Sequence, residues 1–262
     1  MKTITSRENA QFKQLKVLAS NVPARKRGGL ALAEGIHLCQ AYLQQGWPVQ
    51  CVVSEAALAH AEVQPILQQC LAQNLTCLQL PNAMFTEISQ LEHGIGILFV
   101  IEVPQPVLPS RLRQDAVLLD QVQDPGNMGS ILRSAAAAGI KQIFCSVGCV
   151  QCWSAKVLRA GMGAHFLLEI YENVNLTDMI GATDIAVLAT SSYAKTAVYD
   201  MPLTQPVAWL FGNEGQGVAP DLLELAQHQV VLPHLGAMES LNVAACAAIC
   251  FFEQVRQKRE KQ

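Results

Sequence analysis

Three short segments carry residue types that core packing does not demand. The first, Asp124-Pro125-Gly126-Asn127-Met128-Gly129-Ser130-Ile131-Leu132-Arg133, combines two glycines that permit close approach of a ligand with an Asn placed to cap a helix. Arg133 follows about two turns in, beside Ile131, Leu132 and a run of four alanines. A permanent cation among small and apolar neighbours calls for a phosphate or carboxylate partner. The second, Phe211-Gly212-Asn213-Glu214-Gly215-Gln216-Gly217, spaces its glycines as G-x-x-G-x-G, which is neither a dinucleotide fingerprint nor a phosphate loop ending in Gly-Lys-Ser/Thr. The third runs from Leu232-Pro233-His234 to Glu239-Ser240-Leu241-Asn242-Val243-Ala244-Ala245, where a loop enters a helix with Ser240 as the expected N-cap. Taken singly, an ordinary capped helix or a plain turn accounts for each.

The elements that must position these segments are legible as an alternation of apolar runs and helical patterns. Continuous apolar runs at 116–119, 143–147, 185–189, 207–211 and 230–232 predict buried parallel strands, with helices over 128–138, 154–162, 219–226 and 241–258. Each chemical segment then leaves the end of a strand. In an open parallel sheet, ligands bind beyond the carboxyl ends of the strands, so the three can share one pocket. Upstream, helical segments near 8–20, 35–46 and 61–73 alternate with apolar runs at 30–33, 49–53, 76–80 and 95–101, a smaller α/β unit. Three prolines within 104–109 interrupt the pattern. The expected organisation is a first domain over 1–103, a linker over 104–112 and a second domain over 113–262.

Composition narrows the classes. Of 262 residues, 51% are hydrophobic and 15% charged, which excludes extensive disorder, and no apolar stretch approaches the roughly 18 residues of a membrane span. The polar, Lys-rich start reads as a cytoplasmic protein. Nine cysteines at irregular spacing suit reduced, buried thiols; Cys145, Cys149 and Cys152 form a cluster without an evident fourth ligand, so no metal is expected. The net charge of −3 hides an asymmetry: residues 1–30 sum to +6, the last ten to +2, and the body to −11. Basic ends suggest phosphates held at defined places, although solvated helix faces would read the same way.

In order and wording, DPGNMGSILRSAAAAG, FGNEGQGV and LPHLGAMESLNVAACAA resemble motifs 1, 2 and 3 of the SpoU (TrmH-like) RNA 2′-O-methyltransferases of the SPOUT superfamily, across about 120 residues. Ala33-Glu34-Gly35 and Gly94-Ile95-Gly96-Ile97 are similar to that family's N-terminal substrate-binding domain. The resemblance implies an α/β fold: a SPOUT-type parallel sheet with a C-terminal deep trefoil knot, plus a smaller N-terminal α/β domain like a small ribosomal protein. It implies S-adenosylmethionine as cofactor, contacted at Gly212, Leu232 and Leu241, with Thr190 and Gly217 completing the set. It assigns Asn127, Arg133, Glu214, Ser240 and Asn242 to catalysis and active-site architecture. It also implies a homodimer. Departures are few: His234 stands where Met is common, Ala244 where Ser is frequent, and Gly161 where Ser is usual.

Transfer of a methyl group from a sulfonium to a ribose 2′-hydroxyl needs the oxygen aligned behind the methyl carbon and its proton removed. Arg133 is charged at any working pH, so its expected role is to hold an RNA phosphate and stabilise the developing alkoxide. Lys13, Arg25, Lys26 and Arg27 are the expected phosphate contacts of the N-terminal domain. The layout resembles the 23S rRNA guanosine 2′-O-methyltransferases, with structured rRNA favoured over tRNA. A tRNA 2′-O-methyltransferase and a non-catalytic RNA-binding or ribosome assembly factor are the alternatives. A nicotinamide-dependent dehydrogenase would require a G-x-G-x-x-G turn after its first strand, which the chain lacks.

Overall fold

The computed structural model describes residues 1–21, 23, 27–91, 93–238 and 240–260. The chain divides into two compact units, Met1–Pro104 with Trp153–Phe166, and Gln105–Cys152 with Leu167–Gln262. The segment 153–166 thus packs with the first unit although it lies inside the sequence of the second.

In the first unit, β1 (Lys2–Thr3), β2 (Leu30–Glu34), β3 (Gln50–Ser54), β4 (Thr76–Leu80) and β5 (Ile97–Glu102) form a mixed sheet in the order β1-β4-β3-β5-β2. Helices Ala10–Ser20, Ile36–Leu43, Val63–Ala72 and Asn82–Thr86 accompany it. Phe12, Leu15 and Leu18 from the first helix join Leu78, Leu80, Leu98 and Val100 in one core, because their spacing puts them on one helical face. Gly96 is required sterically: it has φ +92, and a Cβ there would stand 2.1 Å from Ser54 Oγ. Gly163 is likewise constrained, with φ +91 and a Cβ position 2.7 Å from that of Ala41, and Phe166 packs edge-on against Tyr42 at 5.0 Å.

In the second unit, β6 (Ala116–Leu119), β7 (Gln142–Ser146), β8 (Glu169–Val174), β9 (Ala186–Thr190), β10 (Thr196–Ala197), β11 (Val207–Phe211) and β12 (His228–Val231) form a sheet in the order β10-β12-β9-β11-β6-β7-β8. Every pairing in it is parallel. Leu118, Phe144, Val187 and Leu210 fill one face. The last helix, Val243–Arg259, places Phe251 edge-on to Phe211 at 5.6 Å and offers Gln254 to the Trp209 indole N–H at 2.8 Å.

The five strands expected here are present; β8, the two-residue β10 and the short helix Leu176–Gly181 were not expected. In β8 the sequence EIYENV interleaves carboxylates with apolar residues at a sheet edge, so it lacks the continuous apolar run that marks the central strands. Residues 103–115 carry no helix or strand, as three prolines demand, while Leu112 within them is fully buried.

Candidate active site

Register brings the chemical segments together. Phe211 at the end of β11 pairs with Leu119 at the end of β6, and Thr190 at the end of β9 pairs with Val230 in β12. The order β12-β9-β11-β6 therefore sets the turns after 231, 190, 211 and 119 side by side.

Asp124 caps the helix Pro125–Ala137, its Oδ1 accepting the Asn127 N–H at 2.7 Å, with Pro125 at the first helical position, where no N–H is needed. The capping role expected of Asn127 thus belongs to Asp124, three residues earlier, and the Asn127 side chain is released for other partners. Its Nδ2 donates to Glu214 Oε1 at 3.1 Å, and its Oδ1 accepts from Asn242 Nδ2 at 2.8 Å. Asn242 in turn caps the last helix, its Oδ1 accepting the N–H groups of Ala244 at 2.9 Å and Ala245 at 3.2 Å. This corrects the expectation for Ser240: Asn242 stands one residue before the first helical turn and reaches the free N–H groups, while Ser240 lies too far upstream and is exposed.

Glu214 also accepts the backbone N–H groups of Gln123 at 3.2 Å and Asp124 at 3.0 Å. Burial pushes its carboxyl up, but the Asn127 amide and these backbone donors outweigh burial and hold it below the ordinary glutamate value. The turn that carries it is rigid. Asn213 and Gly217 exchange two backbone hydrogen bonds at 2.9 Å, and the Asn213 Oδ1 accepts from Gly215 and Gln216. Gly212 admits no side chain, since a Cβ would lie 2.1 Å from the Gly217 carbonyl carbon and the Val218 nitrogen.

Of the five residues expected in catalysis, Asn127, Glu214 and Asn242 form one continuous hydrogen-bonded chain across the three segments. Arg133 is exposed and makes no ion pair among the described residues; Met128, Ile131, Leu132 and Ala135 take the buried face of its helix and leave it on the outer one. The carboxylate partner that its neighbours suggested is absent among those residues. Of the positions expected at the cofactor, Leu232 is buried, Thr190 is half-buried with its Oγ1 donating to the Leu210 carbonyl at 3.3 Å, Gly212 and Gly217 shape the turn, and Leu241 is exposed. Lys13 pairs with Glu8, Arg27 is exposed, and Arg25 and Lys26 lie outside the described residues. Among the described residues no group of three His, Cys, Asp or Glu side chains is placed to hold a metal, and no helix is long and apolar enough to cross a membrane.

Sequence reading missed Asp120 and Ser146. Asp120 ends its apolar strand as the first polar residue, a signal visible in LLDQVQD, but Ser146 joins it only through the pairing of β6 with β7.

Residues 115–252 match the SpoU rRNA methylase family, and residues 9–98 match an MRM3-like substrate-binding domain. A protein of Synechocystis described as an uncharacterized tRNA/rRNA methyltransferase is 31% identical over 98% of this chain and 94% of its own length. The 23S rRNA (guanosine(2553)-2′-O)-methyltransferase RlmP of Bacillus subtilis is 29% identical over 96% of this chain and 98% of its own. The crystal structure of an AdoMet-bound rRNA methyltransferase from Sinorhizobium meliloti superposes with a TM-score of 0.84 at 26% identity, covering 97% of both chains. With its three motif segments converging at the ends of neighbouring parallel strands and a family match that spans more than half its length, the chain belongs to the SpoU rRNA methylase family.

Proposed function

We propose that this protein is a 2′-O-ribose methyltransferase that acts in the cytoplasm on 23S ribosomal RNA, with S-adenosylmethionine as methyl donor. The observation that carries the reading is the Glu214–Asn127–Asn242 chain, which ties Asn127 to residues 87 and 115 positions further along the sequence, where a sheet of this kind binds its ligand. A plain binding module has no need of a carboxylate held by three hydrogen-bond donors at that place. The cofactor fits the residues present: Thr190, Gly212 and Leu232, at the ends of three neighbouring strands, carry no cation that would repel a ligand positive at sulfur, and Leu232 offers apolar surface to an adenine.

S-adenosylmethionine, when bound, supplies a methyl group already activated by its sulfonium leaving group, so no metal is called for. The protein's part is placement and charge. Glu214, kept ionised by its donors, fixes the orientation of the Asn127 amide, and Asn242 fixes the other end. One N–H of each amide is spent in the chain, which leaves the second as a neutral donor toward ribose or phosphate oxygens. Arg133, exposed and permanently charged, holds the RNA phosphate and stabilises the alkoxide as it develops. Thr190, Gly212, Gly217, Leu232 and Leu241 line the cofactor, and Ser240 stands at the mouth of the site. Lys13, Arg25, Lys26 and Arg27 take RNA phosphates in the first unit.

The working form is a homodimer whose second unit is threaded as a deep trefoil knot. Ile249 and Phe252, one turn apart on the last helix, are 37% and 49% exposed, an apolar strip that a second copy would cover. The test of the activity is ribose methylation mapped across total rRNA and tRNA from cells with and without the gene, alongside transfer from labelled S-adenosylmethionine to unmodified 23S rRNA. Loss of one 2′-O-methyl nucleotide in 23S rRNA is expected. Loss in a tRNA moves the substrate, and no loss at all overturns the activity.

A further inference from the structure

Asp120, the residue that follows β6, is 4% exposed, and its carboxylate makes no ion pair among the described residues. Its Oδ1 accepts the Ser146 hydroxyl at 3.2 Å and its Oδ2 accepts the Ala219 N–H at 3.0 Å. By contrast, Asp115 pairs with Lys258, and Asp184 with Arg111 and Arg113. A buried carboxylate is costly unless its lone pairs are taken, and packing alone would be served by another leucine like Leu118 and Leu119 before it. What the carboxylate supplies is two acceptors at a fixed place.

That place is the foot of the turn that carries Glu214. Ala219 is the first residue beyond Gly212–Val218, so Asp120 anchors the outgoing end of the turn. Gln121 anchors the incoming end, its carbonyl accepting Asn213 Nδ2 at 2.9 Å. Ser146 ties the two anchors together: its Oγ accepts the Gln121 N–H at 2.9 Å, and its one proton is shared between Asp120 Oδ1 and the Val147 carbonyl, each at 3.2 Å. The Asp120 N–H itself donates to the Phe211 carbonyl at 2.8 Å, where the turn begins. Between these anchors Glu214 meets the N–H groups of Gln123 and Asp124 and the Asn127 amide, three bonds that a shift of a few tenths of an ångström would weaken.

We infer that Asp120, together with Ser146, is a positioning residue for methyl transfer: it sets the height of the motif 2 turn over the start of the motif 1 helix and thereby the register of the Glu214–Asn127–Asn242 chain. The inference rests on the methyltransferase reading of that site. Asp120 acts through Glu214 and not by contact with substrate or cofactor.

The test compares D120A, D120N and S146A with the native full-length protein in steady-state methylation of 23S rRNA. In parallel, amide hydrogen exchange is followed at Gln123 and Asp124, and D120A is combined with E214Q. In D120A, kcat falls about 30-fold, the equivalent of one lost bond to a charged group, while KM for RNA stays within about twofold. D120N, which keeps the shape and can present its oxygen to Ala219 and its amide to Ser146, recovers most of the rate. The Gln123 and Asp124 amides exchange faster in D120A, and the double variant is no slower than the worse single one, because both changes break the same chain. An unchanged kcat in D120A, a loss carried by KM, or additive losses in the double variant would each overturn the inference. Should D120A fail to fold, S146A decides by the same measures, with a smaller loss of rate and the same faster exchange. A native protein inactive on every RNA would refute the methyltransferase reading instead, and the exchange of Gln123 and Asp124 would still decide whether Asp120 holds the turn.

Discussion

Arg133 and Glu214 carry opposite charges and stand in opposite surroundings. Arg133 stands in solvent with no ion pair to a protein carboxylate among the described residues, so in the proposed reaction its planar fork is open to a phosphate. Substituting lysine keeps the charge and removes the planar fork; kcat of R133K is expected to fall by about 10-fold or more, the loss of one bidentate contact at roughly 1.5 kcal/mol, and a fully active R133K would show the fork to be dispensable. Glu214 is already occupied by its protein donors, so it is a strut rather than a base. Burial raises its carboxyl, the Asn127 amide and two backbone N–H groups more than offset that, and the net shift is downward. A depressed carboxyl contributes stability that is fully present above the ordinary glutamate value of about 4.3 and is lost as pH falls through its own lower value. The difference in Tm between native protein and E214Q is therefore expected to be constant from neutral pH to about 5 and to shrink only at more acid pH. A difference that grows on acidification would reverse the sign of the shift and with it the assignment of Glu214 as an ionised strut.

At the level of turns and helices, the two ends of the Asn242 side chain do different jobs and can be separated. Its oxygen caps the last helix and its nitrogen reaches Asn127. Aspartate caps as well as asparagine but donates nothing, so N242D is expected to keep its Tm within a degree or two while methyl transfer falls by at least about 10-fold; N242A adds a loss of about 1 kcal/mol of stability. The motif 2 turn is tested at Gly212, where a methyl group would collide with the backbone of Gly217 and Val218. G212A is expected to lose about 1–3 kcal/mol and most of its affinity for S-adenosylmethionine, measured by calorimetry, and an unaffected variant would mean that the turn is not held as tightly as its backbone contacts imply. The same elements show what sequence could and could not convey. Central strands such as β6, β9 and β11 are buried on both faces and announce themselves as unbroken apolar runs, and the motif glycines and asparagines sit at their ends. The edge strand β8 mixes Glu169, Glu172 and Asn173 with its apolar residues and carried no such signal. Both cap assignments missed for one reason. Asn127 and Ser240 are good capping types, and only the backbone geometry decides that Asp124 and Asn242, within three residues of them, hold the helix N–H groups. Asp120 and Ser146 come together through strand pairing, a relation between residues 26 apart that local pattern does not contain.

Across the whole second unit, the last helix is the piece that binds the beginning of the fold to its end. Gln254, 2% exposed, accepts the Trp209 indole N–H from the centre of β11 and donates to Asp115 at the entry to β6, 139 residues away in sequence. Two more links flank it: Gln257 accepts the Leu203 N–H at 2.9 Å and donates to the Met201 carbonyl at 3.0 Å, and Lys258 pairs with Asp115. The helix that begins after Asn242, which stands in the Glu214–Asn127–Asn242 chain of hydrogen bonds, is therefore tied near its other end to the middle of the sheet. Replacing Gln254 with leucine preserves size and burial but leaves the Trp209 N–H with no acceptor in a dry interior. Asp115 loses less, since it keeps Lys258 and the Val207 N–H. One orphaned donor costs about 1–3 kcal/mol, and a unit of this size loses about 2–4 °C of Tm per kcal/mol, so Q254L is expected to melt roughly 2–12 °C lower. A second change, W209F in the Q254L background, removes the orphaned N–H and should restore part of that loss even though it deletes more atoms. If Q254L melts with the native protein, or if W209F only deepens the loss, then packing rather than this hydrogen bond anchors the helix, and the coupling between the end of the chain and the active site must run through Phe251 against Phe211 instead.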